Sequence, residues 1–415
     1  MNLRHSLTKI ILLVCFYTLY FQTIHAFDTS QQLKYEGSYY LSSSKFNHTL
    51  TLNIDYFHKI SDELFLEGDL VVRANNKEYS KPFIAGPNEI YLSAYNLIEN
   101  LDLRAGKIIM HWGSSDLLSP LDNFNPSPPS LSLIKNQEKL GVLGFNASYY
   151  INDLTYLQTA LIPSLKTTPY PDEYLKDSYL ANYGSLFQEE GLNINQVDLT
   201  YQPAENVIWG LRLIHSFPSF DAGISYYQGY FMDPFPAYLI TKPNTSGTVM
   251  EITLGYPAKK VVGLEFQGEF PGIEGATLRG DLAYIIPESW SFQEKKILEN
   301  PYIQGIVSAD YTTKSNIYLN GGFIYGLPFE RGNDSSSYLY LNANQDIENC
   351  DLTPFYISIL SLEDMSMVNT VGFDFQIREN VTASLYYLFL LGDSESKLGV
   401  MKSSKGLYFS LEWLF

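Results

Sequence analysis

Charged side chains recur two residues apart along this chain. Glu67 and Asp69 flank Gly68, Asp102 and Arg104 flank Leu103, and Arg279 and Asp281 flank Gly280. At that spacing both members of a pair lie on one face of an extended strand. A wall lined this way can attract or repel ions, but catalysis needs further partners. Beyond residue 26 the histidines are His48, His58, His111 and His215, and none stands at metal-ligating spacing from another. There is no Gly-x-Ser-x-Gly elbow and no Gly-Lys-Ser/Thr phosphate loop. His111, beside Trp112, reads as an interfacial polar residue. No enzyme is expected, and no cofactor or metal is required.

The elements that must position these charges follow from composition. Of 415 residues, 45% are apolar, 15% are aromatic and only 17% are charged. No stretch of about 18 apolar residues occurs after the N-terminus, which argues against helical membrane spans. The first 26 residues read as an export signal. Arg4 and Lys9 supply positive charge, Ile10 to Phe21 are apolar, and Ile24-His25-Ala26 offers a cleavage site. Removing Arg4 and Lys9 from the 27 basic residues leaves 25 against 45 acids. A net charge of about −20 argues against nucleic acid as a partner. Cys15 falls in the signal and Cys350 is then alone, so no internal disulfide forms.

From residue 27 to 415 the pattern is period two. Leu50, Leu52, Ile54 and Tyr56 alternate with Thr51, Asn53 and Asp55, and Val371, Phe373, Phe375 and Ile377 with Gly372, Asp374 and Gln376. Sixteen such segments run from 33–42 to 404–415, each long enough for a tilted membrane strand. The segment 248–269 holds Pro257, where it can break, and 193–201 is a further candidate that raises the count to eighteen. Connections alternate as well. Tight turns such as Lys59–Ser61 and Arg378–Glu379 interleave with long ones such as 113–137, 164–205 and 327–364. Short turns on one rim and long loops on the other predict an all-β, closed, antiparallel transmembrane barrel of about 16 strands, within a range of 14 to 18. Closure is required because lipid cannot satisfy an open sheet edge.

In such a barrel the apolar phase meets lipid and the charged phase faces the lumen. The expected lining includes Asp55, Glu67, Asp69, Arg73, Asp102, Arg212, Glu265, Glu269, Arg279, Asp281, Asp374 and Glu412. With Glu36, Glu251 and Asp310 among the acids and Lys34 and Arg104 among the bases, the expected inward set counts twelve acids against five bases, which predicts attraction of cations. The last strand, Gly406 to Phe415, points Leu407, Phe409, Leu411, Trp413 and Phe415 to one side and ends on an aromatic residue. This end resembles the assembly signal of bacterial outer-membrane barrels, which implies recognition by the outer-membrane insertion machinery.

The stretch "LRAGKIIMHWGSSDLLSPLDNFNPSPPS" carries a second resemblance. Arg104, Gly106, Lys107, Trp112, Gly113, Asp116, Pro120, Asp122, Asn125 and Pro126 match a pattern shared by a group of poorly characterised, porin-like outer-membrane barrels. In general porins the third long loop folds into the pore. The resemblance therefore implies Arg104, Asp116, Asp122 and Asn125 near a constriction. Capping the strand end and tying the loop down is the competing role for these residues.

The expectation is a channel in the bacterial outer membrane for small hydrophilic solutes, preferentially cationic or neutral. Its partners are the lipid bilayer, the insertion machinery and the solutes, with a homotrimer possible. A loop-closed barrel binding a surface ligand, or a carrier releasing hydrophobic solutes laterally, are the alternatives.

Overall fold

The computed structural model describes residues 28–76, 83–116, 118–127, 139–163, 176, 194–202, 204, 206–244, 247–328, 330–347, 350–393 and 395–415. The expected export signal, 1–26, lies outside these residues. The strands are β1 (Asp28–Tyr40), β2 (Lys45–Lys59), β3 (Leu64–Asn75), β4 (Phe83–Ile98), β5 (Leu101–Ile108), β6 (Val142–Asn152), β7 (Thr155–Ile162), β8 (Ile194–Tyr201), β9 (Ile208–Ser216), β10 (Phe220–Tyr230), β11 (Phe235–Asn244) and β12 (Gly247–Gly255). They continue as β13 (Ala258–Glu269), β14 (Ala276–Pro287), β15 (Trp290–Phe292), β16 (Lys295–Leu298), β17 (Tyr302–Thr312), β18 (Ile317–Tyr325), β19 (Ser337–Gln345), β20 (Leu352–Ser361), β21 (Met367–Arg378), β22 (Val381–Leu391) and β23 (Gly406–Leu414).

Eighteen of these strands form one sheet, each antiparallel to its neighbour. β1 pairs with β2 on one side and with β23 on the other, which closes the barrel. Backbone bonds between Gln31 and Phe415, at 2.9 and 2.8 Å, extend the seam to the last residue. The expected fold class stands; the strand count is eighteen, at the top of the expected range of 14 to 18.

The two added barrel strands, β19 and β20, lie within 327–364, which the alternation assigned to a loop. Their inward residues explain the error. Tyr338, Tyr340, Phe355, Ile357 and Ile359 face inward and are buried, while Leu339 and Leu341 face outward. Both faces are apolar, so the contrast that reveals a half-wetted strand is lost. The segment 248–269 does break before Pro257, giving β12 and β13. The candidate 193–201 forms β8, but outside the barrel. It pairs in parallel with β12, which pairs with β11 in a separate three-stranded sheet.

Along β23 and the residue after it both phases carry exposed apolar residues: Leu414 at the strand end in one, and in the other Leu407, Leu411, Trp413 and Phe415 of the alternate set expected to meet lipid. Phe409 shares their side and packs against Tyr35 and Phe46. The same phase recurs in exposed Val262 and Leu264, Leu282 and Tyr284, and Val371 and Phe373. On β2 and β3 the same phase is buried instead, Leu52, Ile54 and Val72 packing with Leu33, Leu50 and Leu70. Where it is exposed, an apolar face on a closed sheet is what a bilayer solvates and water does not. The inner face changes character along the axis. Toward the long-loop rim two apolar clusters fill it. One gathers Trp112, Phe124, Ile208, Tyr227, Val261 and Ile285; the other gathers Leu118, Ile306, Tyr338, Ile357, Leu398 and Met401.

Candidate functional site

Directly opposed residues in an antiparallel pair share a face, so the register carries the inner phase from strand to strand. Asp102 opposes Ser148, Ser148 opposes Gln158, and Gln158 opposes Arg212. Glu265 opposes Asp281, Arg279 opposes Gln267, and Glu269 opposes Thr277. Asp55 opposes Asp69, Glu67 opposes Phe57, and Arg73 opposes Thr51. Glu412 opposes Lys34, and Asp374 opposes Ser384. All twelve residues of the expected lining stand in this phase, opposite to the exposed apolar set. Glu89 belongs with them: it opposes Asp69. Ile90 and Leu92 alternate around it, so period two already pointed to it.

Of the described residues in the long connection after β5, 109–116 and 118–127 run along the inner wall. Its exit is held by Asn125, only 5% exposed. The Asn125 amide oxygen accepts the Met110 N–H at 2.7 Å, and its nitrogen donates to the carbonyls of Ile108 and Leu140 at 3.0 and 2.9 Å. Asn125 thus ties the outgoing and returning chain together. Glu89 accepts the Ile109 N–H at 2.6 Å. Trp112 then packs edge-on to Phe124, and Phe124 to Tyr227 of β10, at ring separations of 4.7 and 5.1 Å. Gly210 of β9 makes room, since a Cβ there would fall 2.8 Å from both the Trp112 and the Phe124 rings.

Gly113 follows with φ of +101°, and a Cβ would meet Ser119 and the Asp281 carboxylate. This close approach explains the Trp-Gly pair in the motif. Past it, the N–H groups of Ser114 and Ser115 donate to the two Asp281 oxygens at 2.8 and 3.0 Å, and the Ser114 hydroxyl lies 3.0 Å from Asp281 Oδ1. Asp281 is 3% exposed; its charge is satisfied by donors from the loop rather than by water. Asp116 pairs with Arg279, whose other nitrogen lies 3.5 Å from Asp310. Asp122 pairs with Lys139, with His111 at 3.7 Å. The Asn123 oxygen accepts from Lys259 Nζ at 2.5 Å.

Of the four residues expected at a constriction, Asp116 reaches the wall of β14, while Asp122 and Asn125 bond within the loop and its base. Arg104 stays exposed on β5, with its guanidinium over the Tyr91 ring at 5.8 Å. A cavity of about 190 Å³ lies there, lined by Glu89, Tyr91, Arg104, His111, Trp112 and Gln158 among others. Beside this cavity, Arg212 and Glu265 form a bidentate pair, and Arg212 also donates to the cavity-lining Gln158 at 3.4 Å. Elsewhere the lining bonds to neutral partners. Asp55 accepts from Ser30, Asp69 from the Glu89 N–H, Asp102 from the Asn96 N–H, and Glu412 from Gln32. Lys139, Lys259 and the Trp112–Phe124–Tyr227 stack were not foreseen, because their partners meet only when the loop turns inward.

No protein-family model matches the sequence, and no curated protein matches it. The fold is similar to that of OccAB3 from Acinetobacter baumannii, at 10% identity and a TM-score of 0.54, covering 94% of this chain and 98% of that one. It is also similar to the outer membrane protein opdK of Pseudomonas aeruginosa, at 8% identity, 94% and 99% coverage and a TM-score of 0.54. OpdL of the same organism gives 9%, 94% and 98%, and 0.53.

Proposed function

We propose that this chain is an outer-membrane channel of the porin type, passing small hydrophilic solutes by diffusion and favouring cationic or neutral ones. One observation carries the reading: a closed barrel presents its apolar phase outward and a charged phase inward, with the third long loop laid along the inner wall. Such a wall selects by width and charge, without a cofactor. The cation preference rests on how the charges are matched. Of the lining bases, Arg212 and Arg279 are each engaged by carboxylates, Arg73 donates to Thr51 and Arg104 lies over Tyr91. Against these, Asp55, Asp102 and Glu412 accept from neutral donors within a larger set of inward acids. The field of those acids favours cations at the open wall.

Under this reading Arg104 and Asp116 border the narrowed passage, the chain is exported by a signal cleaved near Ala26, and the insertion machinery recognises β23. Planar-bilayer recording of purified protein in a salt gradient tests the channel. A steady current whose reversal potential has the cation-selective sign is expected; an anion-selective sign removes the cation claim. The apolar packing near the long-loop rim favours a second reading, a loop-closed barrel acting through its surface. Silence of well-inserted protein supports that one. Cross-linking in the membrane distinguishes one copy from the homotrimer.

A further inference from the structure

Near the short-turn rim, the inner wall carries a run of aromatic rings. Phe57 of β2 opposes Glu67, and Phe65 of β3 opposes Lys59 on one side and Ser93 on the other. The Phe57 and Phe65 rings stack at 5.3 Å, and Tyr95 of β4 follows at 5.6 Å. All three share the inward phase with Asp55 and Glu67. Phe57 is 38% exposed although it points away from the lipid side. Apolar rings facing an aqueous lumen are unfavourable unless something covers them.

Their surroundings define what that is. The hydroxyls of Tyr91 and Tyr95 lie 3.3 and 3.5 Å from the two Glu67 oxygens. Asp55, exposed beside Phe57, accepts from the Ser30 hydroxyl at 3.1 Å. Of the nearby cations, Lys59 is held by Asp62 at 2.6 Å. Arg104 lies against Tyr91 and Tyr95 and faces Glu67, so a ligand here shares the acid with the Arg104 guanidinium. Ring faces carry negative potential, so rings and carboxylates here attract the same ligand, a cation with apolar substituents. The chain provides its own example: the Arg104 guanidinium lies over Tyr91, whose hydroxyl reaches Glu67.

We propose that Phe57, Phe65 and Tyr95, with Glu67 and Asp55, form a lumenal binding site for small organic cations bearing an alkylammonium or guanidinium group. The proposal rests on the channel reading and narrows its solute class.

The test is calorimetric titration of the folded, detergent-solubilised barrel with choline and with its neutral tert-butyl isostere. Current is recorded from the same preparation, and each variant's fold is checked by its heat-dependent gel mobility. Choline is expected to bind about tenfold more tightly than the isostere. Phe57→Leu keeps an apolar side chain without a π-face, so choline affinity falls by about threefold, with a similar or larger loss in Glu67→Gln. Equal affinity for the two probes, or full choline affinity in Phe57→Leu, overturns the site. Cation current without choline preference also overturns the site but leaves the channel. Choline binding without any current overturns the channel reading and leaves the site.

Discussion

The two walls of the lumen carry acids in the same strand phase yet treat them differently. On β13 and β14, Glu265 and Asp281 are buried and satisfied by Arg212 and by the Ser114 and Ser115 N–H groups. On β2 and β3, Asp55 faces Asp69 and stays exposed beside Phe57. Alternation put all four inside. What separates them is the loop after β5, which brings donors and apolar side chains to one wall; on the other, Thr49, Thr51 and Ser93 are buried and Asp69 accepts the Glu89 N–H, but Asp55 stays exposed. One wall therefore behaves as a core, while the other is part core and opens to solvent only toward Asp55 and Phe57.

Removing the packing on the covered wall should have the largest effect. Phe124 is fully buried between Trp112 and Tyr227, so Phe124→Ala is expected to lose about 3–5 kcal/mol in guanidinium unfolding. It should also raise single-channel conductance as the loop loosens. Unchanged unfolding would mean that the loop is not packed on that wall. Asp281→Ala strips the acceptors from two backbone N–H groups and a hydroxyl. A loss of about 2–3 kcal/mol and faster proteolysis of the loop are expected, with Asp281→Asn intermediate. Gly210→Ala forces a methyl group against Trp112 and Phe124 and should lose about 1–3 kcal/mol by overpacking; a more stable variant would show the rings can give way.

The smaller effects lie away from that wall. Asp364, in the turn between β20 and β21, accepts from the Ser366 N–H and hydroxyl and from the Lys397 N–H. Burial alone would raise its pKa, but these bonds outweigh it and hold the carboxyl well below the ordinary range. A depressed folded pKa contributes stability above the unfolded value, about 3.9, and loses it only as pH falls through the folded one. Hydrogen exchange at Ser366 and Lys397 should therefore stay slow on acidification to about pH 4, whereas Asp364→Asn should speed it at neutral pH. The combined Asp55→Asn and Glu67→Gln variant should change stability by less than about 0.5 kcal/mol while lowering the cation-to-anion permeability ratio. If the ratio holds, these two acids do not set selectivity.

Much of the fold was legible because lipid imposes a severe sorting of side chains. Runs such as Val371 to Ile377, with Asp374 between apolar residues, declared strand and face together. Legibility failed where both faces were apolar, as at Tyr338 to Leu341, and where a readable strand joined another sheet, as at β8. Of the candidate site, Arg212, Glu265, Arg279 and Asp281 could be placed on a face by counting. Their partners could not be named, since Asp281 meets Ser114 and Ser115 across more than 160 residues of chain. Asn125 drew notice through its motif, yet its three backbone bonds belong to the folded loop.

By itself the sequence determined an antiparallel barrel with its charges inward, because a period of two and the intolerance of lipid for charge act on each strand locally. The tertiary structure decided the eighteen-strand closure, the three-stranded side sheet, and which inward acids are covered and which stay bare. Those outcomes depend on where a loop comes to rest, and long-range packing of that kind leaves no periodic trace in the chain.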